Sequence, residues 1–68
     1  MKYERLRNLR EDLDLTQADM AKKLNITQRA YSRYETGERA VPIEVFIQLA
    51  DFYKTTIDYL VGRTNKKY

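Results

Sequence analysis

With 68 residues and a formal net charge of +3, the chain is sized for one small domain, which buries only about 60% of the surface its unfolded form exposes. Hydrophobic residues at 43% and charged residues at 34% argue against a disordered chain, and the absence of cysteine excludes disulfides and thiolate metal sites. No apolar run nears the roughly 18 residues of a membrane span and the opening MKYERLRNLRED has no signal-peptide core, so neither insertion nor export is expected and the cytoplasm is the expected compartment.

Two glycines, one proline and apolar residues recurring every three or four positions predict an all-α chain. Tyr3, Leu6, Leu9 and Leu13 give a first helix from about Tyr3 to Glu11. Thr16 reads as the N-cap of a second, whose buried stripe is Ala18, Met20, Ala21 and Leu24. Asn25 suits the left-handed conformation that ends a helix, Ile26 can turn back into the core, and Thr27 can cap a third helix running to about Thr36 and closed by Gly37. Pro42 suits the first turn of a fourth helix, ending near Tyr53. That helix is apolar nearly all round, with only Glu44, Gln48 and Asp51 on a polar arc. Thr56 caps a last short helix, Ile57 to Val61, stopped by Gly62. The helical body is expected over residues 1–62, followed by a basic tail over residues 63–68 that carries Arg63, Lys66 and Lys67.

The third helix carries the most informative pattern. At about 100° per residue, Gln28, Arg29, Ser32, Arg33 and Thr36 fall within about 140°, while Ala30, Tyr31 and Tyr34 share the opposite side. Amides, hydroxyls and guanidiniums are the groups that read base edges in a DNA major groove: arginine bonds guanine through two acceptors, and glutamine bonds adenine through one donor and one acceptor. A plain solvated face gives the same wheel. The order of the pieces, a capped short helix, a tight turn and a helix with a polar outer face, is that of a helix-turn-helix. Charge agrees with it. Residues 1 to 14 carry four basic and four acidic side chains and cancel, whereas residues 15 to 41 carry five against three.

Several segments resemble the lambdoid phage repressor and Cro-like helix-turn-helix proteins, including the small XRE-like regulators, over about residues 3–62. They are Leu15-Thr16-Gln17 with Ala18 and Ala21, Ile26-Thr27, Tyr31 with Tyr34-Glu35-Thr36-Gly37, Pro42, and Ile57-Asp58-Tyr59-Leu60-Val61-Gly62. The resemblance implies a five-helix DNA-binding domain acting in transcriptional regulation, with the third helix in the major groove of double-stranded DNA. Carried onto the matching positions, it makes Gln28, Arg29, Ser32 and Arg33 candidates for base contact, with phosphate also open to them. Gln17, Thr27 and Arg39 are candidates for phosphate contact. A helix N-terminus independently favours phosphate near Gln17, while a plain cap at Thr27 and a solvated Arg39 remain equal readings.

A carboxylate at Glu35, near the C-terminus of that helix, suits neither the helix dipole nor DNA; the resemblance implies a structural pair with Arg10 of the first helix. Tyr31 and Tyr34 read as core, with phosphate bonding by a hydroxyl as the lesser alternative. The chain departs from the common pattern at Asn25, where many members have glycine, and in the loop ERAVPI, which supplies only Arg39. With no histidine, no cysteine, no Gly-rich phosphate loop and no carboxylate pair in a catalytic setting, neither an enzyme nor a metal or cofactor is expected. RNA is disfavoured because A-form duplexes hide their major groove. One module offers few base contacts, so a homodimer on an inverted-repeat operator is expected, with its interface on Val45, Phe52 and Val61. An antitoxin-like module that meets a protein partner through the fourth helix is the alternative.

Overall fold

The computed structural model describes residues 2–67, so Met1 and Tyr68, at the outer ends of the expected body and tail, lie outside the described residues. Five helices follow one another: α1 (Glu4–Asp12), α2 (Gln17–Leu24), α3 (Gln28–Thr36), α4 (Ile43–Tyr53) and α5 (Ile57–Leu60). Among the described residues there is no strand. α2 packs along α3, α1 reaches both α3 and α5, and α4 lies against α5. Leu6, Met20, Tyr31, Leu49 and Leu60 are fully buried where these elements meet.

Three helices start on a threonine. The hydroxyls of Thr16, Thr27 and Thr56 accept from the backbone N–H of Asp19, Ala30 and Tyr59 at 3.1, 3.1 and 3.0 Å, each cap contributing about 1 kcal/mol. At α2 the cap is reciprocal, because the Asp19 carboxylate accepts from the Thr16 N–H at 2.9 Å. That bond and the neighbouring hydroxyl hold the Asp19 carboxyl below its ordinary pKa. Asn25 ends α2 in the left-handed region at φ 58°. The chain then turns so that the Ile26 N–H donates to Ala21 O at 2.9 Å and its side chain packs on the core. The turn into α3 is therefore fixed by both backbone and packing.

Four expectations are corrected. Ala18 is exposed: on α2, Met20, Leu24 and Ala21 span about 100°, Ala18 lies about 60° beyond that arc, and Gln17 falls near its middle. Leu13 is 53% exposed because α1 has already ended at Asp12. Pro42 is the N-cap rather than part of the first turn, its ψ of 151° being extended while its carbonyl accepts the first helical bonds, from Val45 and Phe46. Val45 is buried, which removes it from the expected interface. On α4 it is Ile43, Ile47 and Phe52 that are exposed, at 56%, 47% and 37%. At the end of that helix Lys54 takes a left-handed φ of 56°, a conformation that its sequence does not announce.

The tail folds back on the body. The Arg5 guanidinium donates to the carbonyl oxygens of Tyr59 and Thr64 and, at 2.7 Å, to Asn65 Oδ1, and it stacks 4.1 Å over the Tyr59 ring. Further along, the Thr55 hydroxyl donates to Lys67 O at 2.6 Å. The opposite edge of α1 is held by Arg10, whose Nε and Nη2 donate to the two Glu35 oxygens at 2.7 and 3.1 Å while Nη1 donates to Leu15 O at 2.8 Å. The two side chains are 11% and 4% exposed. Gln17 Nε2 adds a bond to Glu35 Oε1 at 3.2 Å. Burial alone would raise the Glu35 pKa, but the bonds from Arg10, the neighbouring Tyr31 hydroxyl, the Gln17 amide and the Arg10 charge outweigh it and hold the carboxyl below its ordinary 4.5.

Arg10→Ala and Glu35→Ala should each destabilise the fold by about 3 kcal/mol, at the lower edge for stripping one partner from a buried pair because Arg10 keeps a wet edge. Urea melts of the double variant should show a loss well below the sum of the two; strict additivity would exclude direct coupling. The pair also predicts acid sensitivity. Because the folded-state pKa of Glu35 is depressed, the unfolded chain binds more protons as pH falls below the ordinary value, so the stabilisation present at neutral pH is lost through the folded pKa. Between about pH 7 and about pH 3 the wild type should lose more of its urea midpoint than Glu35→Gln, which lacks this titrating group.

Candidate nucleic-acid interface

α3 sorts its nine residues between two jobs. Tyr31, Tyr34 and Glu35 are buried, whereas Gln28, Arg29 and Thr36 are exposed and Ala30, Ser32 and Arg33 lie between. Gln28, Arg29, Ser32 and Arg33 line one open concavity of about 550 Å³, together with Gln17 at the start of α2 and Glu38 in the loop after Gly37. The four expected base readers and the first expected phosphate contact therefore share one surface. It is rich in donors and edged by the N-terminus of α2, where helix geometry leaves N–H groups without intrahelical partners.

Several polar groups in and beside it already have partners. Arg33 lies 3.9 Å from Glu38, both side chains well exposed, so this is a loose surface pair that a stronger anion displaces at little cost. Glu38 was not among the candidates; following a C-cap glycine that reverses the chain, it returns to α3 by a route no helical wheel displays. Gln17 is half-buried, and one of its amide N–H groups is committed to Glu35. An ionised carboxylate only accepts, which sets the amide with nitrogen toward Glu35 and leaves its second N–H and its carbonyl oxygen for another partner. Thr27 spends a lone pair on its cap and retains the hydroxyl hydrogen for donation. Thr36 is less available, since its hydroxyl donates to Arg33 O at 3.2 Å.

Arg39 stands apart from the concavity. It is exposed, and its backbone N–H donates to Arg33 O at 3.3 Å, which ties its loop to the end of α3. The buried tyrosine hydroxyl cannot reach a ligand. Tyr31 is 0% exposed, and its Oη has no partner in hydrogen-bonding geometry among the described residues. Burial first, then its proximity to the Glu35 carboxylate, push its pKa far above the ordinary phenol value; because the side chain is fully buried, the phosphate-bonding alternative for it is withdrawn. Tyr53, on α4, is pushed up to about 12 by burial, and its hydroxyl is 3.6 Å from Met20 Sδ. No group of three or more His, Cys, Asp or Glu able to hold a metal occurs among the described residues, and no helix there is long and apolar enough to cross a membrane.

Comparison with known proteins agrees with this geometry. The chain is 40% identical over 60 residues to the cryptic phage CTXphi transcriptional repressor RstR of Vibrio cholerae, an alignment that covers 88% of this chain and 54% of that protein. It is 36% identical over 67 residues to the HTH-type transcriptional regulator AnsR of Bacillus subtilis, covering 98% and 58%. Among solved structures, a transcriptional regulator from Listeria innocua superposes with a TM-score of 0.85 at 32% identity, over 97% of this chain and 62% of that one. The chain thus spans little more than half the length of the curated relatives it matches. A family model described as helix-turn-helix matches residues 6–60, and on these grounds the chain belongs to the helix-turn-helix family.

Proposed function

We propose that the protein is a sequence-specific DNA-binding transcriptional regulator in which α3 enters the major groove. The observation that carries this reading is the single concavity holding Gln28, Arg29, Ser32 and Arg33 beside Gln17, on the second helix of a helix-turn-helix. The major groove, about 12 Å wide, admits one helix. In this reading Arg33 and Arg29 suit guanine, Gln28 suits adenine and Ser32 suits either, while Gln17, Thr27 and Arg39 hold phosphates and set the register. Relatives named as a transcriptional repressor and a transcriptional regulator support it.

Recovery of a consensus from a random pool of duplexes tests the reading, and two variants separate the roles. Arg33→Ala should relax preference at one base pair by about 1–3 kcal/mol if it makes a bidentate guanine contact. Gln17→Ala should weaken binding to all sequences alike, with thermal melts run in parallel because the change also removes a bond to Glu35. An equal loss across every operator variant for Arg33→Ala would remove it as a base reader.

The same reading includes a homodimer on an inverted repeat. The backbone of the domain extends 29 × 23 × 19 Å along its principal axes, of the same order as the roughly 34 Å between half-sites one helical turn apart, which is compatible with two copies side by side on one face of a duplex. Exposed Phe52, on one edge of α4, and Ile43 and Ile47, on the other, are the apolar surfaces on that helix from which to build such a contact; Val61 is half-buried. A protein partner on the same side chains, as in an antitoxin, is the second reading. Sedimentation with a selected duplex should show two chains per duplex and a consensus with half-site centres about 10 base pairs apart. One chain per duplex at saturation with an asymmetric consensus would exclude the dimer and leave the α3 assignment standing.

A further inference from the structure

Glu38 is the one carboxylate among the side chains that line the concavity over α3, where Arg29 and Arg33 are the cations and Gln17, Gln28 and Ser32 are neutral. It does not serve the two arginines equally. Its Oε2 lies 3.9 Å from Arg33 Nε, whereas Arg29 has no ion pair among the described residues. A contact at Nε leaves both terminal nitrogens of Arg33, which suffice for the two acceptors of a guanine. Glu38 is also anchored. Gly37 reverses the chain in the left-handed region at φ 83°, and beyond it the Arg39 N–H donates to Arg33 O at 3.3 Å, so the backbone is tied to the end of α3 on both sides of residue 38. The contact with Arg33 is weak and yields, but rotation of the side chain does not carry the carboxylate beyond electrostatic reach, about 10 Å at 0.1 M salt.

A guanidinium with no counter-ion is drawn to the most negative group on a duplex, which is phosphate. One that faces an anchored carboxylate is placed differently. A phosphate arriving at Arg33 sets a second anion beside Glu38, while a guanine edge brings two acceptors and no net charge. Like charges forced together penalise the wrong partner without touching the right one. We propose that Glu38 is a specificity-determining residue of the α3 surface: it turns Arg33 away from the phosphate backbone and towards a guanine edge, and so lowers affinity for unrelated duplexes more than for the operator. The proposal rests on the placement of α3 in the major groove and on Arg33 as a base reader, and it gives work to the one residue of the concavity that those readings leave idle. Arg29, which lacks such a neighbour, serves as the internal contrast.

The test compares Glu38→Gln with the wild type on a duplex selected from the random pool and on an unrelated duplex of the same length. Glu38 is 67% exposed and glutamine keeps its size, so thermal melts should match. At about 50 mM salt the variant should gain up to about fivefold more on the unrelated duplex than on the selected one, the range of an exposed charge pair. If Arg33 then neutralises one more phosphate, the slope of log affinity against log salt should steepen by about 0.9 on the unrelated duplex, and the excess gain should shrink roughly 3.5-fold by 200 mM. Removing Arg33 should abolish the excess, and removing Arg29 should not, so Glu38→Gln is repeated in Arg33→Ala and Arg29→Ala. Equal gains on both duplexes, or an excess that survives Arg33→Ala, would overturn the role and leave the α3 reading intact. So would loss of a cytosine preference that persists in Arg33→Ala, since Glu38 would then be reading a base itself. A wild type that binds selected and unrelated duplexes alike would remove the α3 reading and the role of Glu38 together.

Discussion

Placement of the candidate DNA surface depends on the Arg10–Glu35 pair. Apolar burial alone positions helices loosely in a domain this small, because a thin core is non-directional and tolerates sliding and rotation. A guanidinium gripping a carboxylate through two N–H groups tolerates neither. Here it also reaches the α1–α2 connection through Leu15 O and the start of α2 through Gln17. One charge pair thus sets the relative positions of three helices, and Gln17, Gln28, Arg29, Ser32 and Arg33, which are proposed to touch DNA, stand on two of them. Arg5 performs the corresponding task on the other edge of α1. Five residues from Arg10, it lies about 140° round the helix, beyond buried Leu9, and ties α1 to α5 and the returning tail.

The parts of the fold visible in the sequence were those governed by local rules. Thr16, Thr27 and Thr56 cap because a short hydroxyl reaches the third N–H of its own helix; Asn25 and Gly37 end helices because they tolerate positive φ. The inner and outer faces of α3 could be read because large aromatic and large polar groups alternate there at helical period. Where side chains carry weak preferences, the reading failed. Alanine sits without penalty on either side of a helix, so Ala18 gave no phase. The wheel of α4, apolar nearly all round, does not reveal which arc meets the core, and the structure buries Val45 while leaving Ile43 and Ile47 in solvent.

Features set by chain reversal were also beyond the sequence. Glu38 returns to Arg33 across the turn at Gly37, and the tail returns to Arg5 across some sixty residues of chain. In each case the partners are brought together by packing, which periodicity along one helix does not encode. The candidate site was visible as a set of side chains on α3; its boundary and its counter-ion were not.

Interleaving on α3 has a consequence for how such a protein can change. Tyr31, Tyr34 and Glu35 are buried, and Gln28, Arg29, Ser32 and Arg33 line the outer concavity, so structural positions and the proposed reading positions interleave along nine residues. Exchanging an outward side chain removes little packing, and in a domain with only a few kcal/mol to lose that separation decides which substitutions survive. A lineage of such chains can drift from one operator to another by outward changes alone, keeping its scaffold constant, so that similarity of fold among its members carries little information about which DNA each one recognises.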